Sequence, residues 1–462
     1  MQIPADIFRA YDIRGIVGEQ ITPDIVRTIA RAYIAHFPQP QGLTIIVGRD
    51  LRNSSEALAQ AAVEGIISTG CSVIDVGQVP TPVLYFAIGT WDADGGLMIT
   101  ASHNPPEFNG IKLREGEWPF YGDQLQHLAN DIATGDYADK LTSSEEGTYT
   151  ERDIYEHYFE IAAAQVSLER PIKLVLDLGN GCGTLTAPRL LRQIGAEVQT
   201  LFEEPDGTFP NRSPDPLHVE SVVALAETVV ATGAELGIAI DADGDRLAVV
   251  DHQGEMVWPD AYVMPICHDL LERGFASIVT EVRCSQSLID DVRQRGGAVE
   301  MRACGYPYIL EGMRDLGAAM GFETTGHCYF HNPYIKFDDA TFAAARLLES
   351  LAAADKPLRQ IVAAAPVYYT SEEERLECPD EHKFGVAERV AETYAADHDI
   401  LTVDGARINF PDGWALIRAS NTGAELVMRW EGNSASARDD IGDELLSRVR
   451  AELELADTAG RP

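Results

Sequence analysis

Thr100-Ala101-Ser102-His103-Asn104-Pro105-Pro106 sets a hydroxyl beside an imidazole, and Asn109-Gly110-Ile111-Lys112 follows with a lysine. The apolar run Gly96-Leu97-Met98-Ile99 leads into it, so Ser102 falls where a buried strand breaks into a loop. The residue before a proline is pushed out of the α region, which keeps that loop from becoming a helix. A serine held at a strand end near a histidine and a lysine can serve as a nucleophile or a phosphoryl carrier. A tight polar turn is the competing reading of the same residues.

A second polar cluster, Asp241-Ala242-Asp243-Gly244-Asp245-Arg246, follows the apolar run Leu236-Gly237-Ile238-Ala239-Ile240. Carboxylate oxygens are hard ligands, and three converging on one ion suit Mg²⁺. An EF-hand is excluded, because Arg246 stands where its loop needs Gly and His252 where it needs Glu. A haloacid-dehalogenase-type phosphatase with Asp241 as nucleophile stays open, although Asp245 departs from that pattern. So does a solvated acidic turn. A third cluster, Arg418-Ala419-Ser420-Asn421-Thr422-Gly423, is dense in hydrogen-bond donors around one arginine and fits either a hairpin turn or an anion site.

Composition bounds these readings. A chain of 462 residues with 45% hydrophobic content has room for three or four domains with their own cores. The formal charge of -37 repels nucleic acid and anionic membranes, so neither is expected as a partner. Seven scattered cysteines without a C-x-x-C pair suggest reduced thiols and a cytoplasmic setting. The opening Met1-Gln2-Ile3-Pro4-Ala5-Asp6 has neither the basic nor the apolar part of a signal peptide, and no long apolar run suggests a membrane span.

The elements that must carry the clusters recur in one order. Thr44–Gly48, Ser72–Val76 and Leu97–Thr100 read as strands, with a helix opened by Asn53 and Glu56 as a capping pair and closed near Gly70. Lys173–Asp177, a helix over Thr184–Ile194, Glu197–Leu201 and Leu236–Ile240 repeat that order. Ser277–Thr280, a helix over Gln286–Arg295, Ala298–Met301 and the run Ala318–Phe322 repeat it again, delivering Glu323-Thr324-Thr325-Gly326-His327. The expected fold is therefore α/β: three repeated mixed α/β domains, then a smaller C-terminal α+β domain of short alternating strands, around a central cleft. The expected boundaries are 1–148, 149–253, 254–366 and 367–462. Loops at the carboxyl ends of such strands are where ligands gather.

Taken together, these stretches resemble the α-D-phosphohexomutase superfamily, and most closely its phosphomannomutase/phosphoglucomutase branch. T-A-S-H-N-P and D-x-D-G-D-R are the specific motifs, and the likeness spans essentially the whole chain. The resemblance implies a reversible, Mg²⁺-dependent phosphoryl transfer between the 1- and 6-positions of a hexose phosphate. It implies a phosphoserine enzyme and a hexose 1,6-bisphosphate intermediate, in a monomer or weak dimer. Ser102 would carry the phosphoryl group and join Asp241, Asp243 and Asp245 at the metal. Lys112 and His327 would be acid/base groups, with His103 beside the serine. Arg246 would partner the phosphoserine region, and Tyr11 and Arg14 would be active-site contacts. Glu323 and Thr325 would read sugar hydroxyls, Thr325 standing where the family usually has Ser. Arg418, Ser420, Asn421 and Thr422 would hold the non-reacting phosphate. Arg283 and Tyr306 stand where the branch carries a lysine and a histidine, which bears on substrate preference. A non-catalytic sugar-phosphate-binding protein is the remaining alternative.

Overall fold

The computed structural model of the chain describes residues 3–141, 145–331, 336–420 and 423–459, the last four without their side chains. It forms two compact units: Met1–Pro265 with Thr325–Arg359, and Ile266–Thr324 with Gln360–Pro462.

The first unit contains two sheets built on one plan. In the first sheet, Thr44–Arg49 lies between Ser72–Gln78 and Gly95–Ile99, all parallel. In the second, Lys173–Asp177 lies between Glu197–Leu201 and Leu236–Ile240, again parallel. Each outer strand then returns antiparallel, Gly95–Ile99 through Phe108–Glu115 and Leu236–Ile240 through Leu247–Asp251. Ser102 and Asp241–Arg246 therefore occupy equivalent turns of the two sheets. Ile13–Ile16 adds to the first sheet with Arg14 opposite Gly110. A Cβ at Gly110 would stand 2.0 Å from the Ile13 carbonyl oxygen, so this close approach requires glycine.

The second unit repeats the plan, with Ser277–Glu281 between Ala298–Arg302 and Met320–Phe322, all parallel. Its remaining sheet is antiparallel: Gly413–Ala419 lies between Ala406–Phe410 and Glu425–Gly432, which also pairs with Glu374–Glu377. The helices Asp380–Tyr394 and Ala435–Ala459 cover that sheet through Val386, Val390, Leu445 and Val449. The α/β repeat and the α+β C-terminal region are thus as expected.

Details depart from expectation for physical reasons. The Asn53/Glu56 capping pair does not form: the helix is Ser55–Ile67 and has no side-chain cap, and the Ser55 hydroxyl is bound to Asp50 at 2.5 Å. The helix expected over Thr184–Ile194 is a 3₁₀ turn, Cys182–Leu185, then a short helix, Ala187–Gln193, opened by Pro188 in its first turn. Helix Ala340–Ala354 was not anticipated, because burial on nearly every side leaves no polar face to mark a period. None of the seven buried cysteines is in a disulfide. No described helix is long and apolar enough to cross a membrane.

Candidate active site

Ser102 is 1% exposed and holds a φ of +51°, a left-handed conformation that costs a non-glycine residue about 1–2 kcal/mol. Its surroundings impose that pose. The Ser102 amide donates to Thr100 Oγ1 at 2.9 Å. Arg52 clasps the loop: Nη2 donates to the Ser102 and Asn104 carbonyls at 2.7 and 2.6 Å. Its Nη1 donates to the Pro105 and Phe108 carbonyls at 2.7 and 3.0 Å. Asp50 balances that guanidinium at 3.1 Å. Arg14 donates to Asn104 Oδ1 at 2.6 Å, and Tyr11 lies half-buried in the bend just before it.

Ser102 Oγ lies 3.0 Å from His103 Nδ1. Burial, with the charges of Arg246 and Arg14 nearby, pushes the His103 pKa well down. A neutral imidazole whose Nδ1 is bare accepts a hydrogen bond from the serine hydroxyl.

The acidic loop is organised by Asp241, whose Oδ1 accepts from the amides of Gly244, Asp245 and Arg246 at 3.0, 3.0 and 3.1 Å. Gly244, at φ +84°, permits the tight turn. Lys112 Nζ bridges Asp243 and Asp245 at 2.9 and 2.5 Å, and Thr81 Oγ1 donates to Asp243 at 2.7 Å. Burial opposes the Lys112 charge, but Asp243 and Asp245 outweigh it and hold the ammonium well above its usual range. Burial likewise pushes Asp245 up, while Lys112 and His327 outweigh it and hold the carboxyl well down. Burial and the charges of Asp245 and Asp243 push Asp241 well up, a rise that Arg246 opposes.

His327 Nε2 lies 2.9 Å from Arg246 Nε and 3.2 Å from Asp245 Oδ1. A bare Nε2 accepts from Arg246 and a protonated one donates to Asp245, so this atom answers to one partner at a time. Asp338, 3.9 Å from His327, is pushed up to about 7 by burial, a rise that His327 opposes.

The donor set fits a divalent cation. One ligand atom from each of Asp241, Asp243 and Asp245 lies within 4.8 Å of the others. Asp241 Oδ2 and Asp243 Oδ1 are buried without a hydrogen-bond partner among the described residues. Buried carboxylate oxygens without donors are costly unless an ion meets them, and an all-oxygen set suits Mg²⁺. Asp245, His327 and Asp338 also lie within 4.8 Å of one another, but an imidazole ligand suits Mg²⁺ poorly.

In the second unit the organiser is Glu281, fully buried at the end of its strand. It accepts from the Arg283 amide at 2.7 Å, from Arg283 Nε at 3.0 Å, and from Thr324 and Cys304. Burial pushes Glu281 up, but Arg283 and these donors outweigh it and hold the carboxyl at about 2. Glu323 accepts from the Gly305 amide at 3.1 Å, just before half-buried Tyr306. Arg418, 8% exposed, forms an ion pair with Asp404, its Nε at 3.0 Å. Buried Lys383 donates to the Ser420 and Gly423 carbonyls at 2.7 and 2.9 Å. Asn421 and Thr422 lie outside the described residues. Thr325 belongs to the first unit, and its buried hydroxyl has no partner among the described residues.

The first unit thus joins Lys112, Asp243, Asp245, Arg246 and His327 in one network, with Ser102 and His103 in the adjoining loop and Arg14 reaching that loop from strand Ile13–Ile16. The second collects Arg283, Tyr306, Glu323, Arg418 and Ser420. Sequence reading missed Arg52, Thr81, Glu281, Asp338 and Lys383. Arg52 and Glu281 did carry a signal, since each is a charged residue at or just beyond the end of an apolar strand.

Four successive stretches match one family. Residues 5–139, 154–254 and 258–369 match phosphoglucomutase/phosphomannomutase alpha/beta/alpha domains I, II and III, and residues 373–447 match its C-terminal domain. A phosphomannomutase/phosphoglucomutase of Pseudomonas aeruginosa is 35% identical over 451 residues, 97% of this chain and 96% of that protein. A phosphoglucomutase of Neisseria gonorrhoeae is 37% identical over 456 residues, 98% and 97% of the two chains. Among solved structures, a phosphoglucomutase/phosphomannomutase family protein from Burkholderia thailandensis superposes with a TM-score of 0.90 at 34% identity, covering 98% of each chain. By this likeness over its whole length, the chain belongs to the phosphoglucomutase/phosphomannomutase family.

Proposed function

We propose that this enzyme, an isomerase of its family, moves a phosphoryl group reversibly between the 1- and 6-positions of a glucose or mannose phosphate. The route is a phosphoserine at Ser102 and a hexose 1,6-bisphosphate that turns over between two half-reactions. The observation that carries this reading is a buried, strained Ser102 whose hydroxyl faces a neutral His103. Phosphoryl transfer depends on alignment and charge neutralisation more than on covalent invention.

In this reading His103 accepts the Ser102 proton, and Arg52 keeps Oγ aimed by holding the loop carbonyls. Lys112 and His327 exchange protons with the sugar hydroxyls, and Arg246 sets the His327 protonation state through Nε2. Arg14 and Tyr11 frame the serine loop. Glu323 and Thr325 accept sugar hydroxyls, while Arg283, Tyr306, Arg418, Ser420, Asn421 and Thr422 hold the distal phosphate. Asp241, Asp243 and Asp245, with the Ser102 oxygen, would hold Mg²⁺, which when bound offsets charge on the transferring phosphoryl group. The four domains 1–148, 149–253, 254–366 and 367–462 divide this labour, in a cytoplasmic monomer or weak dimer. An Asp241-centred phosphatase fits less well, since it gives no role to the buried Ser102 and its strained backbone.

Arg283 and Tyr306 narrow the choice of hexose, because a planar guanidinium fixes geometry that an ammonium leaves adaptable. Equal kcat/KM for glucose 1-phosphate and mannose 1-phosphate would refute that narrowing. The main test is the intact mass of the purified protein and of its Ser102→Ala variant. One phosphoryl group on the Ser102 peptide, and loss of nearly all mutase turnover in the variant, are expected. Wild-type turnover in Ser102→Ala, or net release of inorganic phosphate from hexose phosphate, would overturn the proposal.

A further inference from the structure

Arg407 is 0% exposed, although it lies on a strand of the C-terminal sheet. Its Nη1 donates to the Val282 and Cys284 carbonyls, both at 2.7 Å. These are the two carbonyls that flank Arg283. Nη2 donates to Gln286 Oε1 at 3.2 Å, and the guanidinium lies 3.6 Å from the centre of the Trp414 ring. Trp414 Nε1 donates to Glu431 at 2.8 Å, and Glu431 accepts the Gln286 amide at 2.9 Å. Val282, Cys304, Trp414 and Leu416 pack together around this contact.

The Arg283 backbone is therefore gripped from two directions. Glu281 holds its amide and Nε from within the same loop, and Arg407 holds its flanking peptides from a strand more than a hundred residues later. A fork with two in-plane donors fixes both position and orientation of the peptides it binds. We infer that Arg407 is a positioning residue for Arg283, so that the C-terminal sheet sets how the Arg283 guanidinium meets the substrate phosphate. Arg407 itself is buried beneath the loop and touches no substrate. The inference rests on the reading that Arg283 contacts that phosphate.

A double-mutant cycle tests it. Arg283→Ala, Arg407→Met and their combination are assayed with glucose 1-phosphate and mannose 1-phosphate, alongside melting temperature and Ser102 phosphorylation. Arg283→Ala should raise KM about tenfold, and Arg407→Met should raise it about fivefold with kcat within about twofold of wild type. The double variant should be no worse than Arg283→Ala alone, because Arg407 acts only through that residue. Arg407→Lys, which can still reach both carbonyls, should recover most of the loss. Ser102 should stay phosphorylated throughout.

KM effects that multiply in the double variant would overturn the positioning role. So would an unchanged KM in folded Arg407→Met beside a normal Arg283→Ala effect. An unchanged KM in Arg283→Ala would instead remove the substrate role of Arg283, and the inference with it. If Arg407→Met does not fold, Arg407→Gln, which keeps one donor, replaces it in the cycle. Failure of both to fold would make Arg407 a folding residue and overturn the inference.

Discussion

Arg52 and Arg407 do the same thing in different units, each gripping the carbonyls of a strand-end loop from below, but their charges are balanced differently. Arg52 has its counter-ion two residues away, since Asp50 lies 3.1 Å from its guanidinium and also fixes Ser55. Among the described residues Arg407 bonds carbonyls and an amide oxygen and lies on the Trp414 face, and burial pushes its pKa down to about 10 against the opposing charges of Glu431 and Glu281. The first grip is local and can form within one domain. The second joins the C-terminal sheet to a loop that precedes it by a long stretch of chain. The acidic groups show the same contrast. Glu281 is held at about 2 by Arg283 and the other donors around it, whereas burial and the neighbouring Asp245 and Asp243 push the Asp241 carboxyl well up.

The sharpest way to break this comparison is Arg52→Met. It leaves buried Asp50 without its cation and takes the guanidinium clasp off four loop carbonyls, which should cost on the order of 3–5 kcal/mol. Urea unfolding measures this, and a loss below about 1 kcal/mol would show that the loop holds without the clasp. The same variant should lose Ser102 phosphorylation.

Glu281 gives a pH signature. Its carboxyl is held at about 2 when folded and near the ordinary glutamate value when unfolded, so the charged form stabilises the fold. That stabilisation is fully present above about pH 4.5 and is lost as pH falls toward 2, and it amounts to roughly 3 kcal/mol. Glu281→Gln should flatten this part of the stability profile, and a variant curve parallel to wild type would contradict the assignment.

Asp241→Asn should separate stability from ion binding. The amide oxygen can keep the three backbone contacts of Oδ1, while the repulsion from Asp243 and Asp245 disappears. We expect the metal-free variant to be at least as stable as wild type. We also expect it to lose the Mg²⁺-dependent rise in Tm, worth about 2.7 kcal/mol at a hundredfold excess over Kd. A full Mg²⁺ response in the variant would remove Asp241 from the ligand set.

The smallest effect belongs to Arg418→Lys. Lysine keeps a charge near Asp404 but not the two-pronged geometry for a phosphate, so KM should rise about tenfold, near 1.4 kcal/mol. Ser102 phosphorylation should be unaffected, and its loss would show that the two units do not divide the labour as proposed.

Strand positions, the threefold α/β order and the polar clusters were legible from the chain alone, because an apolar run ending in charged residues marks a strand end wherever it lies. Ser102, the three aspartates and Arg418 announced themselves that way. Lys112 did not show its partners: it sits on the antiparallel strand Phe108–Glu115, and only folding brings it to Asp243 and Asp245. Nor could Arg407 be told from the other arginines, since its two acceptors are backbone carbonyls, which every residue possesses. A side chain's type fixes which bonds it can make, and its spacing fixes which face of an element it takes. Which elements then meet depends on how whole sheets and helices bury their apolar faces. That is why the candidate groups could be picked out locally, while the clasps around them were decided by the tertiary structure.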